Sequence, residues 1–109
     1  MKRYFEMLRK NEELFKRAEE IAEEIRRRAS KIFGRCEVYL VGSYARGEQT
    51  LSSDLDILIV SEAIPERYSF DWYSNVVRSL TEDPRVDIHL LNPKKLQELE
   101  ALYRPMRMV

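Results

Sequence analysis

Asp54 and Asp56 stand two residues apart at the head of the apolar run Leu55-Asp56-Ile57-Leu58-Ile59-Val60. A few residues upstream lies the small-residue segment Gly42-Ser43-Tyr44-Ala45-Arg46-Gly47. The apolar run reads as a strand, and residues two apart in a strand project to one face with Cα atoms about 6.5–7 Å apart. The two carboxylates then share the side opposite Leu55 and Ile57. At ~5 Å and an effective dielectric of ~20, their repulsion costs about 3 kcal/mol. A divalent cation neutralises such a pair. Hard oxygen ligands beside a turn that admits phosphate point to Mg²⁺, which takes one or two carboxylates together with substrate phosphates.

The neighbouring residues extend this chemistry. Gly42 lets backbone touch a phosphate where a side chain would clash. Ser43 can donate its hydroxyl and N–H to a phosphate oxygen at the start of the turn, or act as an ordinary cap. Arg46 either returns to the phosphates or ties the loop to Asp54 or to the chain's own carbonyls. Gly47 permits the exit turn, and Ser53 orients Asp54 or caps the loop. Asp87 lies in Arg85-Val86-Asp87-Ile88-His89-Leu90-Leu91 and, in a strand, faces away from Val86 and Ile88. It completes a set of three carboxylates, as a ligand or as the base that takes the acceptor proton; otherwise it is an exposed edge-strand residue. In a two-metal arrangement, ions ~3.5–4 Å apart clamp the attacking and leaving oxygens of an in-line displacement. His89 shares the face of Asp87 and reads as a hydrogen-bonded structural residue rather than a ligand. Tyr44, Tyr68, Trp72 and Tyr73 offer faces for a base, although packing within the protein is the simpler reading of each.

The pattern G-S-x-x-R-G-x-x-x-x-x-S-D-x-D-x-x-x-V is filled at every fixed position, by Gly42, Ser43, Arg46, Gly47, Ser53, Asp54, Asp56 and Val60. With Asp87 on a later strand, the stretch from about Glu37 to about Asn92 resembles the minimal nucleotidyltransferases of the DNA polymerase β-type superfamily. The resemblance implies an α/β nucleotidyltransferase-type sandwich. It implies two Mg²⁺ ions held by Asp54, Asp56 and Asp87, and ATP bound through Gly42, Ser43, Arg46, Gly47 and Ser53. It further implies transfer of AMP to a hydroxyl with release of pyrophosphate. Minimal members are commonly antitoxins that adenylylate a tyrosine of a helical HEPN-domain ribonuclease, so a HEPN-type toxin is the implied partner. A non-catalytic antitoxin that covers its toxin, or transfer to a small molecule or RNA, are the competing readings.

The flanking sequence supplies the elements that must hold these groups. Residues from about Arg3 to Phe33 lack Gly and Pro and are rich in strong helix formers. Tyr4, Leu8, Phe15, Ala18, Ala22, Ile25, Ala29 and Ile32 form a helical stripe, and Glu19, Glu20, Glu23 and Glu24 precede Arg26, Arg27 and Arg28 by one turn. About 30 residues make a helix near 45 Å, which must overhang a small domain or break near Lys10-Asn11. Its first turns, with Tyr4, Phe5, Met7 and Leu8, are placed to meet another chain, a copy or a toxin. Gly34 ends the helix as a left-handed cap. Strands are expected over Glu37–Val41, Asp54–Val60 and Val86–Leu91. Helices are expected from Ser69 or Asp71 to about Thr81, and from Lys94 to about Tyr103 with Leu96, Leu99 and Leu102 inward. The result is a single domain over 1–109, with a small mixed sheet of about three strands flanked by helices.

Composition narrows the partners. Nineteen basic and 19 acidic side chains cancel, so no global field favours nucleic acid or an anionic membrane. No apolar stretch approaches the ~20 residues of a membrane span. Cys36 is single, so no internal disulfide forms, and it reads as a small buried hydrophobe rather than a reactive thiol. A cytoplasmic setting is expected. The chain's length leaves no room for a separate acceptor-holding domain, so a second molecule is expected to complete the acceptor site.

Overall fold

The structure, a computed structural model, describes residues 13–48 and 54–109. Tyr4, Phe5, Met7 and Leu8, the expected break near Lys10-Asn11, and Ser53 lie outside the described residues. Residues 13–16 are helical and lead through a turn at Arg17 into α1 (Ala18–Phe33). An interruption at Arg17 was not expected. There φ is −103° and ψ 12°, and the Arg17 N–H is shared between the Glu13 and Leu14 carbonyls at 3.1 and 3.2 Å. The buried line of α1 is Ala18, Ala22, Ile25 and Ala29. Three of these four are alanines, so the helix lies close against the sheet. Ile32, at the end of the expected stripe, is 43% exposed. The exposed side carries Glu23–Arg26, Glu24–Arg27 and Glu24–Arg28 pairs, mostly three rather than four residues apart. Gly34 has the expected positive φ of 73°, but its ψ of −121° lies outside the left-handed helical well.

Among the described residues, four strands follow the order β3-β2-β1-β4. These are β1 (Glu37–Val41), β2 (Leu55–Val60), β3 (Val86–Leu91) and β4 (Arg107–Met108). β1 is antiparallel to β2 and to β4, whereas β2 and β3 run parallel. The parallel connection passes through α3 (Phe70–Leu80), capped as expected by Ser69, whose Oγ accepts from the Trp72 N–H at 3.1 Å. β2 is central, as a strand apolar on both faces must be. Asp54 falls just outside it: the pairing with β1 stops at Val41↔Asp56, where the chain turns into α2 (Gly42–Arg46), and the pairing with β3 starts at Leu55↔Val86. β4 was not expected. Two residues carry no period, and only tertiary pairing with Tyr39 and Leu40 makes them a strand.

The sheet has unequal faces. On the larger side, Val38, Leu40, Leu55, Ile57, Ile59, Val86, Ile88 and Leu90 are buried with α1 and α3. On the smaller side, Val41, Leu58 and Val60 pack with Tyr39, Leu91, Leu96, Tyr103 and Met106. That side is covered by α4 (Pro93–Tyr103), capped by Asn92, whose Oδ1 accepts from the Lys95 N–H at 2.7 Å. The expectation that Leu102 points inward is corrected, since it is 76% exposed. Leu96 and Tyr103, seven residues and two turns apart, define the packed line instead. Among the described residues, no helix is long and apolar enough to cross a membrane.

Candidate active site at the acidic end of the smaller sheet face

Strand alternation puts Asp56, Leu58 and Val60 on the smaller face, together with Asp87, His89 and Leu91 of the neighbouring strand. The parallel register makes Asp56 and Asp87 direct partners and sets His89 opposite Leu58. The apolar packing of that face therefore ends in two carboxylates and an imidazole. His89 Nε2 lies 3.2 Å from Asp56 Oδ1 and 3.5 Å from Asp87 Oδ2. These three side chains offer donor atoms within 4.8 Å of one another. Behind the imidazole, the Tyr103 hydroxyl lies 3.3 Å from Nδ1, and the two rings meet edge to face at 5.4 Å.

Gly42 joins the two motifs. Its φ is 68°, a region that side-chain-bearing residues rarely adopt. A Cβ added there would overlap the Asp56 carboxylate and lie 3.0 Å from Asp56 Cγ and 3.1 Å from its Cβ. Gly42 was expected to leave room for a phosphate; in the structure the nearest group is the Asp56 carboxylate. Ser43 follows as the second residue of the five-residue α2, whose N-cap Val41 makes no side-chain cap bond. Gly47 closes the turn in the left-handed conformation, φ 70° and ψ 21°, with the Glu48 N–H returning to the Ser43 carbonyl at 2.9 Å. Arg46 Nε donates to Glu48 Oε2 at 3.0 Å, a pairing not among the alternatives weighed for it.

Burial and charge set the protonation preferences. Although 53% of the Asp87 side chain meets solvent, partial desolvation against its strand holds its carboxyl above the usual range. His89 pulls it down, while the Asp56 carboxylate pushes it up. Burial, reinforced by Asp87 and then Asp56, raises the Tyr103 phenol, which stays neutral and able to donate. Tyr73 is raised by burial first and Asp87 second, and its hydroxyl donates to the Ile88 carbonyl at 2.5 Å. Tyr68 donates likewise to the Leu90 carbonyl at 2.6 Å. Two hydroxyls from the region of α3 thus fasten the strand that carries Asp87 and His89.

The structure gathers Asp56, Asp87 and His89, with Gly42 against Asp56. Asp54 is exposed at the lead-in to β2 and stands outside that cluster. The aromatics weighed for base stacking pack within the protein: Tyr44 stacks on Phe15 at 6.2 Å, and Tyr68 meets Trp72 at 4.9 Å. Tyr103 was missed, because in sequence it is only the last apolar residue of a helix. The signal for His89 was its two-residue spacing from Asp87. The donor set of two carboxylates and an imidazole fits a divalent cation.

Solved structures of the same fold are known. The chain superposes on the crystal structure of a candidate nucleotidyltransferase from Sulfolobus solfataricus with a TM-score of 0.60 and 30% identity, covering 94% of this chain and 84% of that one. A second structure, also of a candidate nucleotidyltransferase, gives a TM-score of 0.62 at 24% identity over 80% of this chain and 95% of that one, a likeness of fold. Among proteins of curated function, none matches this chain. The family model described as the nucleotidyltransferase domain matches residues 18–106, which span β1 to β3, helices α1 to α4 and every residue of the acidic cluster. The chain belongs to the nucleotidyltransferase-domain family.

Proposed function

We propose that the chain transfers AMP from ATP to a hydroxyl of a partner protein, a tyrosine of a HEPN-type ribonuclease toxin, and so acts as its antitoxin. The observation that best supports transfer is the side-by-side register of Asp56 and Asp87 with Gly42 packed on Asp56. In the reaction, the acceptor oxygen bonds to the α-phosphorus of ATP. The bond from that phosphorus to the oxygen bridging to the β-phosphorus breaks, and pyrophosphate leaves. Asp56 and Asp87, with Asp54 at the strand lead-in, would hold Mg²⁺, two ions in the full arrangement. When bound, these ions neutralise the triphosphate and acidify the acceptor hydroxyl. Gly42 keeps the Asp56 carboxylate at the turn, and Ser43 offers its N–H and hydroxyl to phosphate beside it. Asp87, beside Asp56 in the strand register, would complete the ligand set or take the acceptor proton.

The test is incubation with ATP labelled at the α-phosphate, Mg²⁺ and the product of the neighbouring gene. Label should move to a partner tyrosine and should stay in ATP when a chelator is added. Neutralisation of the partner with no label transferred would favour inhibition by binding. Label passing to added RNA or a small molecule, and not to the partner, would overturn the protein acceptor.

A further inference from the structure

The chain contains a single histidine, and the fold places it between the two partnered carboxylates. A histidine that only steadies an acid needs one contact. His89 Nε2 instead faces two carboxylates from adjacent strands, at 3.2 and 3.5 Å. Neighbouring ligands of an octahedral ion, each about 2.1 Å from the metal, lie about 3 Å apart. The spacing of these donors is close to that value. The far ring nitrogen is held from behind by Tyr103 at 3.3 Å, the outer-shell support that metal-bound imidazoles generally have.

We infer that His89 is a nitrogen ligand of the divalent cation, with Asp56 and Asp87 as its oxygen ligands and Tyr103 as the residue that positions the imidazole. The inference rests on the metal-dependent reading above and changes the expected ion. A site of carboxylates alone suits Mg²⁺, whereas an imidazole among them shifts preference toward first-row transition ions, of which Mn²⁺ is the one that carboxylates also suit. Tyr103 ties this ligand to the last turn of α4, so the helix over the smaller face also sets the geometry of the metal.

Mn²⁺ alone is the probe, added to the untagged full chain and read by pulsed electron paramagnetic resonance. The wild type should show coupling to a directly bound imidazole nitrogen, and the pattern should change when histidine is isotope-labelled. Because there is one histidine, that change assigns the signal without any variant. His89→Gln should abolish the coupling and weaken Mn²⁺ binding at least ~10-fold, with a smaller loss for Mg²⁺. Tyr103→Phe should keep the coupling but weaken Mn²⁺ binding by about 10-fold, the low end for lost outer-shell support. Bound Mn²⁺ without nitrogen coupling would overturn His89 as a ligand and leave the carboxylate metal site standing. Failure of Mn²⁺ to bind at all would overturn the metal reading and the histidine assignment together. Unchanged affinity in Tyr103→Phe would remove the positioning role alone.

Discussion

The two faces of the sheet are built from the same three long strands and do different work. On the larger face, alternate residues of β2 are Leu55, Ile57 and Ile59, each fully buried beneath α1 and α3. On the smaller face, the alternates are Asp56, Leu58 and Val60, so the apolar row is broken at one end by a charge. β3 repeats the contrast: Val86, Ile88 and Leu90 are buried on one side, and Asp87, His89 and Leu91 stand on the other. One residue of strand register separates stability from chemistry. The larger face can hold the smaller one rigid because the strand residues it buries are all apolar. The smaller face can carry unlike chemistry because, among the described residues, one helix with no fully buried residue covers it.

The widest separation of the two faces is expected from Asp56→Asn. Transfer should fall by at least ~1000-fold, about 4 kcal/mol of barrier. The melting temperature should hold or rise slightly, since one of two adjacent negative charges is gone. Initial rates and thermal melts on one preparation check this; near wild-type turnover would remove Asp56 from the machinery. Its neighbour in sequence, on the other face, should do the reverse. Ile57→Ala should cost about 3 kcal/mol of stability through lost burial and the cavity left behind. Turnover per folded molecule should change little. Denaturant titration with rates taken well below the transition would show it, and a large loss of turnover would mean that the faces are not separable.

Gly42→Ala should strike both properties at once. The positive φ is expected to cost about 1–2 kcal/mol, and the new Cβ must displace the Asp56 carboxylate. Stability and transfer should therefore fall together, with the loss of transfer the larger. A variant that loses stability alone would show that the carboxylate moves without consequence. The smallest effect belongs to the turn that launches β3. Asp83 accepts from Arg85 side-chain nitrogens at 2.9 and 3.0 Å, and that pairing lowers its carboxyl below the ordinary range. Its contribution is full above the unfolded value of about 3.9 and disappears as pH falls through the lower folded value. Asp83→Asn should cost no more than about 1 kcal/mol at neutral pH. The difference from wild type should vanish in acid, as melts across pH would record.

Much of this molecule is legible in local sequence. β1, β3 and α3 are marked by period and by punctuation at Gly34, Ser69 and Pro84, because these signals act within a few residues. The motif from Gly42 to Val60 likewise marks the carboxylates and the turn. The stripe of α1 was legible in outline, but its interruption at Arg17 was not. Nor was β4, a two-residue strand created by its partner.

The sequence by itself determined the kinds of groups available: two carboxylates at strand spacing, a third with a histidine two residues later, and glycines at the turns. Only the tertiary structure decided which of them meet. Parallel pairing across 31 residues set Asp87 beside Asp56 and left Asp54 at the unpaired lead-in, because ladder register depends on both strands at once. The close approach of Asp56 to the Cα of Gly42 arises where β1 ends against β2, and no local pattern encodes it. Tyr103 reaches His89 because α4 folds back over the smaller face, bringing together side chains 14 residues apart. Residue types are carried by the chain; distances between them arise only when separate elements bury their apolar faces against one another.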